Sequence, residues 1–238
     1  MNKRKLVLSM SSDAKTIKGE SLGFYTGILY LAPSDISGFQ VCTMAKLAQC
    51  ENACLYTAGR GQFTSTQNAR INKTKRFFND RDNFMLDLEF SIKSLVRKAK
   101  KLGLIPLVRL NGTSDIIWEN IPFKGFNNIF ESFPDVQFYD YTKIPTRKKI
   151  PANYDLTFSY SGVSTFQKAN AKASLNDKLS RIAVVFDKQE NIPRTFLNRE
   201  VLAGDNSDVR HLDKKFSVIA LYAKGKAKKD FTGFVVRP

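Results

Sequence analysis

The chain has 238 residues, 42% of them hydrophobic and 12% aromatic, so one domain over residues 1–238 has enough apolar side chains for a core. Lysine and arginine number 38 against 22 acidic residues, and the resulting net charge of +16 favours polyanionic partners, above all nucleic acid. No apolar run reaches the ~20 residues of a membrane helix, and the basic N-terminus lacks the apolar core of a secretory signal. We therefore expect a globular protein of a reducing cytosol, and not a membrane or secreted protein.

The first predicted elements are a strand and, directly after it, a group of cysteines. Residues 23–33 are rich in aromatic and β-branched side chains and end at a proline, which is typical of a strand. All three cysteines of the chain follow within thirteen residues, as Cys42, Cys50 and Cys54, with the spacing C-x7-C-x3-C. This cluster is the strongest functional signal in the sequence.

Three neighbouring thiolates form a soft metal site, and three cysteines can hold a 4Fe–4S cluster while one iron keeps an open position. Three packing cysteines, or a disulfide plus one free thiol, are the alternatives without a metal. Zinc is the rival metal, but structural zinc usually takes four Cys or His ligands, and the single histidine, His211, lies far along the chain. We predict an iron–sulfur cluster on the three cysteines with one iron left open, and a fourth ligand from His211 is the alternative.

A stretch that mixes basic and aromatic residues follows the cysteines, at residues 70–78. Basic side chains there would contact phosphates, and aromatic rings would stack on unpaired bases. The alternative is a helix that buries Phe77 or Phe78 in the core. The candidate contacts to single-stranded nucleic acid are Arg70, Lys73, Lys75 and Arg76.

Farther along, apolar residues at helical spacing predict a helix over residues 83–102, which Gly103 ends. Short runs rich in Val, Ile, Phe and Tyr then alternate with helical patterns at 124–133 and 164–180. Strands that alternate with helices imply a parallel sheet with right-handed crossovers, so we expect an α/β fold that forms a partial or complete (β/α) barrel. The predicted strands are residues 104–110, 136–143, 154–160, 181–187 and 216–223.

Polar residues follow or end several of these strands, at the edge where such barrels place their sites. Ordinary turn chemistry is the alternative explanation for each of them. A further polar segment, residues 204–213, holds three carboxylates and His211, and we interpret it as a capped loop rather than a metal or acid–base site. The candidate cofactor-binding residues are Asn111, Asp115, Tyr139, Asp140 and Lys143.

Five motifs together resemble one protein family. In chain order, from about residue 20 to 234, they resemble the gene product 88 domain family of phage and plasmid proteins. The resemblance implies a location in the cytoplasm of an infected bacterium, and it does not by itself define a reaction. The motifs are Cys50-ENA-Cys54-LYTAGRG, VRLNGTSDIIWE at 108–119, FYDYTK at 138–143, GDNSDVRHLD at 204–213 and ALYAKGKA at 220–227.

The chain is more distantly similar to radical S-adenosylmethionine (SAM) enzymes, which combine an α/β barrel with a three-cysteine loop after the first strand. The similarity implies that Cys42, Cys50 and Cys54 hold a 4Fe–4S cluster with one iron free for SAM, although their spacing differs from the usual C-x3-C-x2-C. We therefore expect an iron–sulfur protein that associates with single-stranded nucleic acid. A radical SAM-type enzyme is the alternative.

Overall fold

The structure is a computed structural model that describes residues 3–10, 14–54, 56 and 59–238. Its centre is a nine-stranded sheet. The strands are β1 (Ser9–Met10), β2 (Phe24–Ile28), β3 (Ile105–Arg109), β4 (Gln137–Thr142), β5 (Tyr154–Ser159), β6 (Arg181–Phe186), β7 (Thr195–Phe196), β8 (Arg199–Ala203) and β9 (Val218–Tyr222). The helices are α1 (Ala14–Glu20), α2 (Ser34–Ser37), α3 (Thr64–Asn79), α4 (Arg81–Leu102) and α5 (Gln167–Ser174).

The strand order across the sheet is β1-β2-β3-β4-β5-β6-β9-β8-β7. All neighbours from β2 to β8 pair in parallel, and only the two-residue edge strands β1 and β7 are antiparallel. Because β2 to β6 lie side by side in chain order, right-handed crossovers between them all pass over the same face of the sheet.

The main core lies between that face and the helices. It includes Leu88 and Leu95 of α4, Val108 of β3, Phe158 of β5 and Ala169 of α5. The opposite face carries a small separate cluster of Phe24, Leu107, Tyr139 and Val209. Since Val209 belongs to the segment 204–213, irregular chain packs on this second face.

Helix α4 approaches the sheet closely because β2 has glycine at position 27. A Cβ on Gly27 would lie 2.7 Å from Cδ1 of Leu95, which is buried completely. The helix ends as its sequence predicts, at Gly103 with a φ of 67°, in the left-handed region that glycine adopts without strain. This contact fixes the spacing between α4 and the strand that precedes the cysteines.

The structure confirms the α/β class and the parallel sheet. The predicted strands at 23–33, 104–110, 136–143, 154–160, 181–187 and 216–223 each contain an observed strand, and the predicted helix at 83–102 corresponds to α4. Helix α3 matches the alternative interpretation of its segment, because Phe77 is buried in the core. The sheet stays open between its edge strands β1 and β7, so the complete barrel is not formed.

The helical prediction for residues 124–133 is wrong. Lys124 and Gly125 have φ values of 48° and 82°, and a turn joins Phe123 to Phe126 through two backbone hydrogen bonds of 3.0 and 2.9 Å. Two successive left-handed residues cannot continue a right-handed helix. The prediction for 164–180 holds only over α5, with short 3₁₀ turns at Ser164–Phe166 and Asp177–Leu179.

Across the described part of the chain, no helix is both long and apolar enough to cross a membrane.

Replacing Leu95 with Ala should leave a cavity between α4 and β2. We expect the free energy of unfolding to fall by about 2–5 kcal/mol, as for other buried leucines, in urea unfolding followed by circular dichroism. Arg97→Ala, at an exposed position of the same helix, should change it by less than about 0.5 kcal/mol. Equal effects of the two substitutions would contradict this packing.

Candidate functional site

The three cysteines lie on an irregular segment after β2 and α2, residues 41–54, which we call the cysteine loop. Segments that follow other strands hold its backbone. The Val41 carbonyl accepts a hydrogen bond from the Asp115 N–H at 2.8 Å, and the Ala48 carbonyl accepts one from Ser161 Oγ at 2.9 Å. Because Asp115 follows β3 and Ser161 follows β5, the cysteine loop lies over the carboxyl ends of the parallel strands.

The segment after β3 reaches the cysteine loop only because residue 112 is glycine. The Gly112 N–H donates to the Leu29 carbonyl at 3.0 Å, and a Cβ on Gly112 would lie 2.7 Å from that oxygen. Thr113 Oγ1 then donates to the Leu31 carbonyl at 2.6 Å. These two hydrogen bonds therefore hold residues 113–115 against residues 29–31, which precede the cysteine loop.

All three cysteines are free, partly buried thiols, and all three line a single cavity of about 110 Å³. Thr113 contributes to its wall. Its charged lining residues are Asp35, Glu51 and Lys226. The described residues include no group of three His, Cys, Asp or Glu side chains that meets the geometry of a bound metal ion.

The electrostatic environment of the thiols favours their protonated form. Burial raises the pKa of Cys42, Cys50 and Cys54. After burial, the Asp115 carboxylate and the other two thiols contribute most to the rise at Cys42, while Lys143 opposes it. The thiols are therefore close enough to influence one another, and a metal that binds them would displace protons.

Two of the five candidate cofactor-binding residues, Asp115 and Lys143, lie beside the thiols. The Asp115 carboxylate accepts a hydrogen bond of 2.7 Å from the backbone N–H of Lys143. The Lys143 ammonium donates to the Ser159 carbonyl at 3.2 Å and its hydroxyl at 3.1 Å, and it stands 4.7 Å from the centre of the Phe234 ring. Burial lowers the pKa of Lys143, while Cys50, Asp115 and Cys42 raise it. A half-buried ammonium group thus faces the cysteine loop.

Asn111 and Asp140 instead build the turn that follows β3. Asn111 Oδ1 accepts from Ser114 Oγ at 2.9 Å and from Trp118 Nε1 at 3.1 Å. The Asp140 carboxylate accepts the Asn111 N–H at 2.8 Å and the Tyr154 hydroxyl at 3.1 Å. Burial raises the pKa of Asp140 to about 7, and the neighbouring Arg109 guanidinium opposes the rise. The polar groups of both side chains are used within the fold.

Tyr139 and His211 lie on the second face of the sheet. The Tyr139 hydroxyl donates to Asp208 at 3.4 Å, and the His211 ring packs edge-on against Phe24 with 5.2 Å between centroids. Phe24 begins β2, whereas the cysteine loop follows its end, about 13 Å away at the usual rise per strand residue. His211 is not among the residues that line the cavity, so the structure does not bring it to the thiols.

The predicted nucleic-acid contacts lie along α3, and three of the four have partners inside the protein. Arg70 is buried, with its guanidinium 2.6 Å from the Tyr56 carbonyl, so it does not present its charge to solvent. The Lys73 ammonium donates to the Val7 carbonyl at 3.2 Å, and burial lowers the pKa of Lys73 to about 8. Arg76 forms an ion pair of 2.6 Å with Asp87. Lys75 alone of the four is exposed.

Arg147 is the main structural residue that the sequence did not reveal. Its fully buried guanidinium makes two hydrogen bonds to Glu119, at 2.6 and 2.7 Å, and a 3.3 Å bond to Asp115. In the sequence, Arg147 begins an ordinary basic run with Lys148 and Lys149, both of which are exposed. No local pattern separates this buried arginine from its solvated neighbours.

The fold and the strand-end loops carry the motifs of one family. The family model described as gene product 88 matches residues 6–238, and the chain belongs to this family. Comparison with curated proteins and with solved structures finds no match.

Substituting Arg147 with Met should leave the Glu119 and Asp115 carboxylates buried without their partner. Breaking a buried ion pair in this way costs about 3–5 kcal/mol, so we expect a loss of that size in the free energy of unfolding in urea. Lys148→Met removes the same charge from an exposed neighbour and should cost less than about 0.5 kcal/mol. Comparable losses in both variants would show that the Arg147 network does not stabilise the fold.

Proposed function

We propose that the protein binds an iron–sulfur cluster through Cys42, Cys50 and Cys54, and that it associates with single-stranded nucleic acid. One observation carries the first part. All three cysteines of the chain line one cavity at the carboxyl ends of a parallel sheet. Scattered packing cysteines have no reason to share a cavity, and none of the three forms a disulfide.

The donor set suits iron and sulfide better than zinc. A structural zinc usually has four Cys or His ligands, and His211 lies at the other end of β2 from the cysteine loop. Three thiolates match a 4Fe–4S cluster with one iron left open, and such a cluster would supply electron transfer or an open iron site. The half-buried ammonium of Lys143 offers compensating positive charge next to an anionic cluster.

Metal analysis of protein purified without oxygen tests this proposal. We expect close to four iron atoms and four sulfides per chain, and loss of both in Cys42→Ser, Cys50→Ser and Cys54→Ser. Thr43→Ala changes an exposed neighbour in the cysteine loop and should keep the full content. Stoichiometric zinc in place of iron, or no metal even after reconstitution with iron and sulfide, would overturn the proposal.

The charge of the chain supports the second part. A net charge of +16 attracts polyanions, and exposed basic side chains release counterions when they bind phosphates. Family membership is in accord with a role in the cytoplasm of a phage-infected bacterium, where both DNA and RNA are present.

The order of the strands favours a second candidate, a radical SAM-type enzyme. Strands β2 to β6 are parallel and lie in chain order, which is also the arrangement of a partial (β/α) barrel, and the cysteine loop follows the first of them. Asp115 and Lys143 lie beside the cavity and would be the residues that bind a second cofactor there. Asn111, Tyr139 and Asp140 make their hydrogen bonds to other parts of the fold and not to the cysteine loop.

Addition of SAM to the reduced, iron-loaded protein separates the two candidates. An enzyme of this type should change its electron paramagnetic resonance spectrum when SAM binds, and should cleave SAM. Cys42→Ser provides the control, since it lacks one ligand of the cluster. An unchanged spectrum at full iron content would exclude the second candidate and leave the first intact.

A further inference from the structure

The chain after β9 carries a dense group of exposed lysines. Residues 225–229 form a short 3₁₀ helix, Gly225–Lys229, and Lys226, Lys228 and Lys229 are all exposed. A 3₁₀ helix has three residues per turn, so Lys226 and Lys229 share one side of it. We call residues 224–231 the lysine segment.

The positive charge of this segment is largely uncompensated. Within the described residues, no carboxylate forms an ion pair with Lys226, Lys228 or Lys229, whereas Lys224 pairs with Asp205. The nearest acidic residue in sequence, Asp230, is buried and accepts the Val235 N–H at 3.0 Å. Three ammonium groups therefore face solvent together.

An exposed aromatic ring adjoins these charges. Phe231 is 82% exposed, the highest value for an aromatic side chain of the described chain. The Arg237 guanidinium stands 4.5 Å from the centre of the ring, which supports the ring from one side. Exposure of a phenylalanine next to lysines is costly in water, but it suits stacking on an unpaired base.

The lysine segment lies at the cysteine cavity. Lys226 lines the cavity, and its charge opposes the rise that burial causes in the pKa of Cys54. One residue past the segment, Thr232 Oγ1 donates to the Gln49 carbonyl of the cysteine loop at 3.4 Å. A polymer that binds the lysines therefore runs next to the thiols.

We propose that the lysine segment is the nucleic-acid contact surface, on which Lys226, Lys228 and Lys229 bind consecutive phosphates and Phe231 stacks on a base. This inference rests on the proposed association with nucleic acid, and it locates that association at the cysteine cavity instead of along α3. Stacking on Phe231 needs an unpaired base, so the partner is a single strand and not a duplex. The phosphate and base chemistry is shared by DNA and RNA.

Binding of fluorescent single-stranded DNA and RNA 20-mers of mixed sequence, measured by anisotropy on the iron-loaded full chain, tests the inference. The test variant is Lys226→Gln/Lys228→Gln/Lys229→Gln. Its matched control is Lys98→Gln/Lys100→Gln/Lys101→Gln, which removes the same charge from the exposed side of α4. Phe231→Ala is compared with Phe216→Ala, an exposed ring that precedes β9 at the amino end of that strand.

The test variant should bind about a hundredfold more weakly at 0.1 M salt, and its plot of log affinity against log salt should be shallower by about 2. Phe231→Ala should weaken binding by roughly 5- to 150-fold, the value of one stacked base. Both control variants should stay near the parent. A parent preference for DNA or for RNA would identify the polymer.

Three results would overturn the inference. Equal losses of binding affinity in the test and control triple variants would show that binding depends on the overall charge of the protein and not on the lysine segment. If unlabelled duplex displaced the labelled single strand as well as unlabelled single strand does, Phe231 would not stack on an unpaired base. If the parent protein binds neither DNA nor RNA, or binds only vesicles that contain anionic lipid, the proposed association with nucleic acid is refuted as well. The iron content of the protein tests the proposed cluster separately.

Discussion

The cysteine loop has almost no regular secondary structure, so its place depends on a buried ion network centred on Arg147. The guanidinium joins Glu119 and Asp115, which lie after β3, to the chain after β4. Asp115 then acts twice, because its N–H holds the Val41 carbonyl and its carboxylate holds the N–H of Lys143. Through Asp115, one buried arginine thus links the loop that carries the thiols to the lysine that faces them.

The same network gives the cavity its electrostatic character. Burial and the Asp115 carboxylate disfavour thiolates, whereas Lys143 on the inner side and Lys226 at the rim favour them. An apo site of this kind keeps its thiols protonated, and a cationic iron centre would shift the balance by replacing the protons. The two lysines differ in role, because Lys143 is enclosed by Ser159, Tyr160 and Phe234, while Lys226 is exposed.

The sequence predicted those parts of the fold that depend on local pattern. Periodic apolar residues located α4 and every long parallel strand except β8, and the polar strand ends lie near the cysteine loop where Asp115 and Ser161 bind it. The failures involve residues whose partners are distant in sequence. Arg147 and Arg70 resemble solvated basic residues until the structure shows Glu119 and the Tyr56 carbonyl beside them. The turn at Lys124–Gly125 breaks an apparent helix through backbone conformation alone.

His211 shows the same limit at the candidate site. The sequence alone leaves open whether the single histidine reaches the cysteines, whereas in the structure the 204–213 segment packs on the second face and places His211 against Phe24. Ligand type can be recognised from sequence, whereas the end of the sheet at which a ligand lies depends on the path of a long connection. This uncertainty does not apply to the three cysteines, because they all lie within one stretch of thirteen residues.

A crystal structure of protein purified and crystallised without oxygen, with diffraction data collected on both sides of the iron absorption edge, tests the central claim most directly. The account predicts a strong anomalous iron signal in the cavity between the sulfur atoms of Cys42, Cys50 and Cys54. A cavity without iron signal in protein reconstituted with iron and sulfide, or a zinc signal at that position, would contradict it.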